Sequence, residues 1–231
     1  MTTTATRFER LAVNFEAPLV RISLNNPPLN IIDLAMMEEL TSLLNEIQSQ
    51  SSISAIVFDG AGKSFSAGVD VAAHARETVS SMLVKFHTVV RALVSTRKVT
   101  IAAVAGHCLG GGAELAMVCD VVYTTDQATW GFPEIQLGCF PPVAATALAA
   151  LIGQKRAADL ILSGRSISGA EAARMGLAIA AVPDGKLASV VDQCAVEIGK
   201  LSPAALAVTK KAMYAWDSMH FDKGLARAEK I

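Results

Sequence analysis

The first half of the chain alternates short apolar runs with longer amphipathic stretches. Residues 11–15 and 19–24 are rich in Val, Ile and Leu and flank the turn signal Ala17-Pro18, which predicts two short strands. Pro27 and Pro28 lack N–H donors, so residues 25–30 predict a loop. Asp33 then stands as an N-cap before Leu34, Met37, Leu40, Leu44 and Ile47, whose spacing predicts a helix to about Gln48. Residues 55–58 predict a buried strand, 59–70 a Gly/Ser loop and 74–96 a second helix. Strands follow at 100–104 and 121–123. From Gln154 the pattern turns helical, over 155–162, 168–175, 186–200 and 203–219.

Strands alternating with helices predict an α/β fold. No linker or repeat divides the chain. Residues 1–180 are expected as the α/β core and 181–231 as a helical C-terminal region of the same unit. With 52% hydrophobic and 18% charged residues among 231, the chain has material for a sizeable core, which excludes disorder. A balance of 20 basic and 21 acidic residues argues against a general nucleic-acid or anionic-membrane binder. The apolar excess instead suits a subunit interface. Cys108, Cys119, Cys139 and Cys194 form no CxxC pair, so reduced thiols are expected rather than a zinc site or disulfides. The polar start lacks a signal peptide's apolar core and no apolar run is long enough to span a bilayer, so a cytoplasmic protein is expected. Met36, Met37 and Trp216 read as core or interface.

Chemistry concentrates in residues 106–120, GHCLGGGAELAMVCD. Gly110, Gly111 and Gly112 precede a run of good helix formers, and without Cβ atoms their backbone admits a ligand closely. The opening N–H groups of such a helix have no internal partner and suit an oxyanion. Glu114 lies three residues after Gly111 and shares its side of the first turn. No Lys-Ser/Thr follows the glycines and the GxGxxG spacing is missing, so phosphate-loop readings fail. The alternative is tight strand–helix packing with Glu114 as a solvated first-turn acid. A second small-residue loop, Ser64-Phe65-Ser66-Ala67-Gly68-Val69-Asp70, offers another free N–H. Trp130-Gly131-Phe132-Pro133-Glu134 sets a second carboxylate among apolar neighbours, where burial would raise its pKa. His107 beside Cys108 reads as a packing residue rather than half of a nucleophilic pair, and Asp70 as a loop or helix cap.

Taken in order, NNPPLN at 25–30, FSAGVD at 65–70, the triple-glycine stretch, GFPEIQLG at 131–138 and LSGRSISGAEAARMGL at 162–177 resemble the crotonase (enoyl-CoA hydratase/isomerase) superfamily. The late Ala205 to Lys210 pattern, Ala-x-x-x-Thr-Lys, matches as well. The resemblance implies a spiral of ββα units with a helical C-terminal region, assembled as trimers or paired trimers. It implies an acyl-CoA thioester whose carbonyl oxygen is held by the N–H groups of Val69 and Gly111. The catalytic carboxylates fall on Glu114 and Glu134. Substrate contacts are expected from Ser66, Ala67, Gly68, Asp70 and Gly110. No metal and no separate cofactor is expected, coenzyme A being part of the substrate.

Retention of both carboxylates favours hydration over isomerisation, which can manage with the second alone. An isomerase or hydrolase of the same family, or a non-catalytic binding subunit, are the alternatives. After Glu134, residues 137–151 read LGCFPPVAATALAAL, where many family hydratases carry a Gly-rich segment. This variant resembles the hydratases of cyclic dienoyl-CoA esters, including cyclohexa-1,5-diene-1-carbonyl-CoA. It predicts a stiff wall from Phe140, Pro141 and Pro142, with Trp130 and Phe132 adding flat apolar surface. Equally, Pro141 and Pro142 read as the start of a helix. The chain also stops at Ile231, short of the last helix expected of typical members.

Overall fold

The computed structural model describes residues 7–74, 77–214 and 218–230. Six strands form the main sheet in the order β1 (Leu11–Glu16), β2 (Leu19–Leu24), β3 (Ala55–Gly60), β4 (Val99–Val104), β6 (Val121–Thr125) and β9 (Ala180–Val182). Only β1 and β2 are antiparallel; the other neighbours run parallel. A second sheet of three short strands joins β5 (His107–Leu109), β7 (Thr129–Gly131) and β8 (Ser166–Ser168). These three-residue strands are too short to show a period in the sequence, yet they carry the site.

The main sheet is covered on both faces, as a parallel sheet requires. Along β3 and β4, Ile56, Phe58, Ala102 and Val104 enter the larger core, which also buries helices α1 (Leu34–Ser49) and α2 (Val79–Ser95). The alternate residues Val57, Ile101 and Ala103 pack on Leu187, Val191 and Ala195 of α7 (Leu187–Gly199). Asp33 caps α1, its Oδ1 accepting the Met36 N–H at 2.8 Å. Met36 and Met37 are in the core; Leu34, expected there, is exposed where the first turn faces out.

The second helix begins at Val79, behind a separate 3-10 turn over Val71–His74, with residues 75–76 outside the described ones. The helix expected over 203–219 is two helices, α8 (Pro203–Tyr214) and α9 (Ser218–Ala228); Trp216 lies outside the described residues. Helices α3 (Gly111–Met117), α4 (Pro142–Ile152), α5 (Gln154–Ser163) and α6 (Gly169–Met175) complete the chain. Among the described residues no helix is long and apolar enough to cross a membrane.

Candidate active site

Three segments lie side by side to make the site. Ser66 bridges to Cys108, with the Ser66 N–H donating to His107 O and the Leu109 N–H to Ser66 O, both at 3.0 Å. β5 pairs in turn with β7, and the Gly110 N–H extends that ladder to Gly131 O at 2.9 Å. The 65–70 loop, the triple-glycine turn and the Glu134 segment are thereby held in fixed register. Asn30 anchors the first of them from behind. Fully buried with φ at 51°, a left-handed conformation that Asn tolerates, it donates through Nδ2 to Ala61 O and Ser64 O at 2.9 and 2.7 Å.

The segments face a cavity of about 520 Å3 lined by Ala67, Gly68, Val69, Gly110, Gly111, Glu114 and Glu134 among others. The parallel bridge between Ile32 and Val69 uses Gly68 O and the Asp70 N–H, so the Val69 N–H turns away from Ile32. Gly111 is the first residue of α3, where an N–H has no partner inside the helix. Close approach explains its lack of a side chain, since a Cβ there would sit 2.6 Å from Val69 Cγ2. At Gly110, with φ at 51°, a Cβ would lie 2.8 Å from Glu134 Oε1.

Glu114 is 3% exposed and accepts the Ala144 N–H at 2.9 Å through Oε1. Burial and then the charge of Glu134 raise its pKa to about 8, against the lowering effect of the Ala144 and Val143 N–H groups. Glu134 follows Pro133 at the start of a 3-10 turn over Pro133–Leu137 that Gly138 closes in the left-handed region. Burial raises its pKa to about 7, and its Oε2 is buried without a hydrogen-bond partner among the described residues. Glu114, buried, and Glu134, partly buried, line one cavity and cannot both ionise cheaply near neutrality. They titrate as a pair.

A pH-dependent stability follows with a definite sign. Both carboxyls bind protons more tightly in the folded chain than at the ordinary Glu value of 4.5. Above that value the unfolded chain releases its protons first, so stability falls as pH rises from about 4.5 through about 7 and 8, and the full loss remains at higher pH. Glu114→Gln is expected to melt above the unaltered protein at about pH 9 and to lose that advantage by about pH 4. Thermal unfolding followed by circular dichroism across pH checks this. An advantage independent of pH contradicts it.

Several predicted contacts need relocating. Trp130 and Phe132 are wholly buried, and neither lines the cavity. The Trp130 indole N–H donates to Thr124 Oγ1 at 3.0 Å, placing that ring in the core. Pro141 is buried at the N-cap of α4 with Pro142 as its first residue, so the helix-start reading holds; Pro142 still touches the cavity. Among the described residues, the rings that do line it are Phe140 and Phe86. Ser66 acts behind the site, its Oγ donating to Asn30 O at 2.7 Å and accepting the Gly68 N–H at 3.1 Å. Asp70 is outside the lining and caps the following turn, accepting the Ala72 N–H at 3.0 Å. His107, expected to pack, is exposed, while Cys108 points into the core. All four cysteines are free thiols. No motif announced Phe86 or Glu229, which reach the cavity from α2 and from the turn after α9.

The sequence pattern described as enoyl-CoA hydratase/isomerase matches residues 14–229. The chain belongs to this family. A probable enoyl-CoA hydratase of Mycobacterium bovis is 38% identical over 209 residues, covering 89% of this chain and 81% of that one. The cyclohexa-1,5-dienecarbonyl-CoA hydratase of Thauera aromatica is 37% identical over 162 residues, 70% of this chain and 63% of its own. Among solved structures, an enoyl-CoA hydratase/isomerase from Xanthobacter autotrophicus superposes with a TM-score of 0.90 at 29% identity, covering 96% and 86%. Membership of the enoyl-CoA hydratase/isomerase family thus agrees with the fold as well as with the motifs.

Proposed function

We propose that this chain hydrates an α,β-unsaturated acyl-CoA thioester, with Glu114 and Glu134 as its acid–base pair. The observation that carries the reading is one cavity holding two carboxyls of raised pKa beside the backbone N–H groups of Val69 and Gly111. Those N–H groups would hold the thioester oxygen as it gains charge toward the enolate, each such donor typically being worth about 10²–10³ in rate. As a water oxygen adds to the β-carbon, one carboxylate takes a proton from that water and the other carboxyl gives a proton to the α-carbon. A pair that shares one proton near neutrality supplies both partners at once. Coenzyme A arrives with the substrate. The protein is further read as one protomer of a trimer or paired trimers, a reading supported by exposed apolar side chains such as Leu162 and Val208.

For the acyl group, a six-membered cyclic dienoyl ester is the favoured substrate. Support comes from the likeness to the Thauera aromatica enzyme and from the Phe86 and Phe140 rings facing the cavity. Flat walls suit a ring and lose little entropy on binding it, whereas a linear chain's β-carbon is misplaced, at a cost of about 10² in rate. Cyclohexadienoyl-CoA is expected to show a higher kcat/KM than crotonyl-CoA in an absorbance assay of purified protein. Equal or better turnover of crotonyl-CoA contradicts the ring preference and leaves a general enoyl-CoA hydratase.

A further inference from the structure

The cavity holding the carboxyls is not the largest in the molecule. Beside it, between α4 and α9, lies an apolar cavity of about 660 Å3 lined by Val94, Met117, Ala147, Leu151 and Phe221 among others. Among the described residues, two belong to both cavities: Phe140, just before α4, and Ala228, at the end of α9. They stand as a partition between them.

The partition is held from several sides. α9 lies so close to α4 that a Cβ on Gly224 would be 2.6 Å from Thr146 Cγ2. Next to Ala228, Glu229 Oε1 accepts from Arg91 Nη2 at 2.7 Å and pairs with Nδ1 of the buried His87 at 2.8 Å. Phe140 runs directly into α4, whose first turn is tied to Glu114 through the Ala144 N–H. On the far side, Asp120 is already engaged by Lys210 Nζ at 2.6 Å and by the Thr100 N–H at 2.8 Å. What that second cavity offers a ligand is chiefly hydrocarbon.

Resting on the acyl-CoA reading above, we infer that Phe140, backed by Ala228, sets the length of acyl group the enzyme accepts, the cavity behind it being a second acyl compartment. A short or cyclic acyl group ends before the Phe140 ring. A long alkyl chain must displace that ring, and with it the packed junction of α4 and α9. Removing the ring joins the compartments and lets hydrocarbon bury in the second one, where each added methylene contributes favourably.

The test compares trans-2-decenoyl-CoA with crotonyl-CoA as a kcat/KM ratio within each variant. Phe140→Ala is expected to raise that ratio at least about 10-fold, the scale on which hydrophobic pockets discriminate chain length. Adding Ala147→Phe, which fills the second cavity from α4, should return the ratio toward that of the unaltered enzyme. Calorimetric binding of saturated decanoyl-CoA, which cannot be hydrated, should follow the same order. Should the unaltered protein turn over neither these enoyl esters nor cyclohexadienoyl-CoA, the hydratase reading fails, while decanoyl-CoA binding still decides the partition. Hydration of crotonyl-CoA with an unchanged ratio in Phe140→Ala overturns the partition alone, as does a gain that Ala147→Phe leaves intact. If Phe140→Ala does not fold, Phe140→Leu should give a smaller gain in the same direction, and no gain there overturns the proposal equally.

Discussion

Glu134→Gln and Glu114→Gln are each expected to lower kcat by at least about 10²-fold, the usual contribution of a positioned acid or base. Gln keeps the volume of Glu, and at position 114 its carbonyl oxygen can still accept the Ala144 N–H, so the start of α4 stays in place. KM should change little, because the groups expected to hold the thioester oxygen are backbone N–H donors. Steady-state kinetics on the folded variants separates the two parameters. Near-wild-type hydration by either variant contradicts a two-carboxyl mechanism. Loss of hydration in Glu114→Gln with continued migration of a substrate double bond points instead to an isomerase.

Gly111→Pro is expected to abolish turnover by removing the donor N–H outright. Position 111 opens α3, where Pro is compatible with a helix, so the backbone does not forbid the change. The new side chain does meet Val69 Cγ2, which lies 2.6 Å from the Cβ position, and Phe86 Cζ, at 3.2 Å. Gly111→Ala introduces the same Cβ while keeping the N–H and is therefore the comparison. A kcat for Gly111→Pro that falls about 10²-fold or more below that of Gly111→Ala assigns the loss to the hydrogen bond. Equal activities, with circular dichroism showing both folded, remove this N–H from the site.

The residues with chemistry were readable because each needed an unusual local sequence. Gly110 and Gly111 have no room for a Cβ, and a carboxylate behind Pro133 among apolar neighbours stands out in a chain with few charges. The register between those loops was not readable, since β5, β7 and β8 are three residues each and show no periodicity. Nor does an aromatic residue reveal which face of a three-residue strand it takes. Trp130 sits one residue before Gly131, whose carbonyl holds the Gly110 N–H, yet it turns inward to Thr124. Pro142 reads both as wall and as helix start because it is both: it touches the cavity and opens the helix whose Ala144 N–H holds Glu114. Phe86 and Glu229 are brought to the cavity by helix packing across 142 positions of sequence from His87 to Glu229, which no local pattern records.

If the protein adds water to a conjugated thioester, the hydroxyl oxygen of the product comes from solvent. Purified protein should be incubated with crotonyl-CoA and with cyclohexadienoyl-CoA in water enriched in heavy oxygen, and the products weighed by mass spectrometry. The expected product is a hydroxyacyl-CoA that carries one solvent oxygen and the mass of one added water, formed at least about 10²-fold more slowly by Glu134→Gln. An isomer of unchanged mass, or free coenzyme A with the labelled oxygen in a released acid, would contradict hydration.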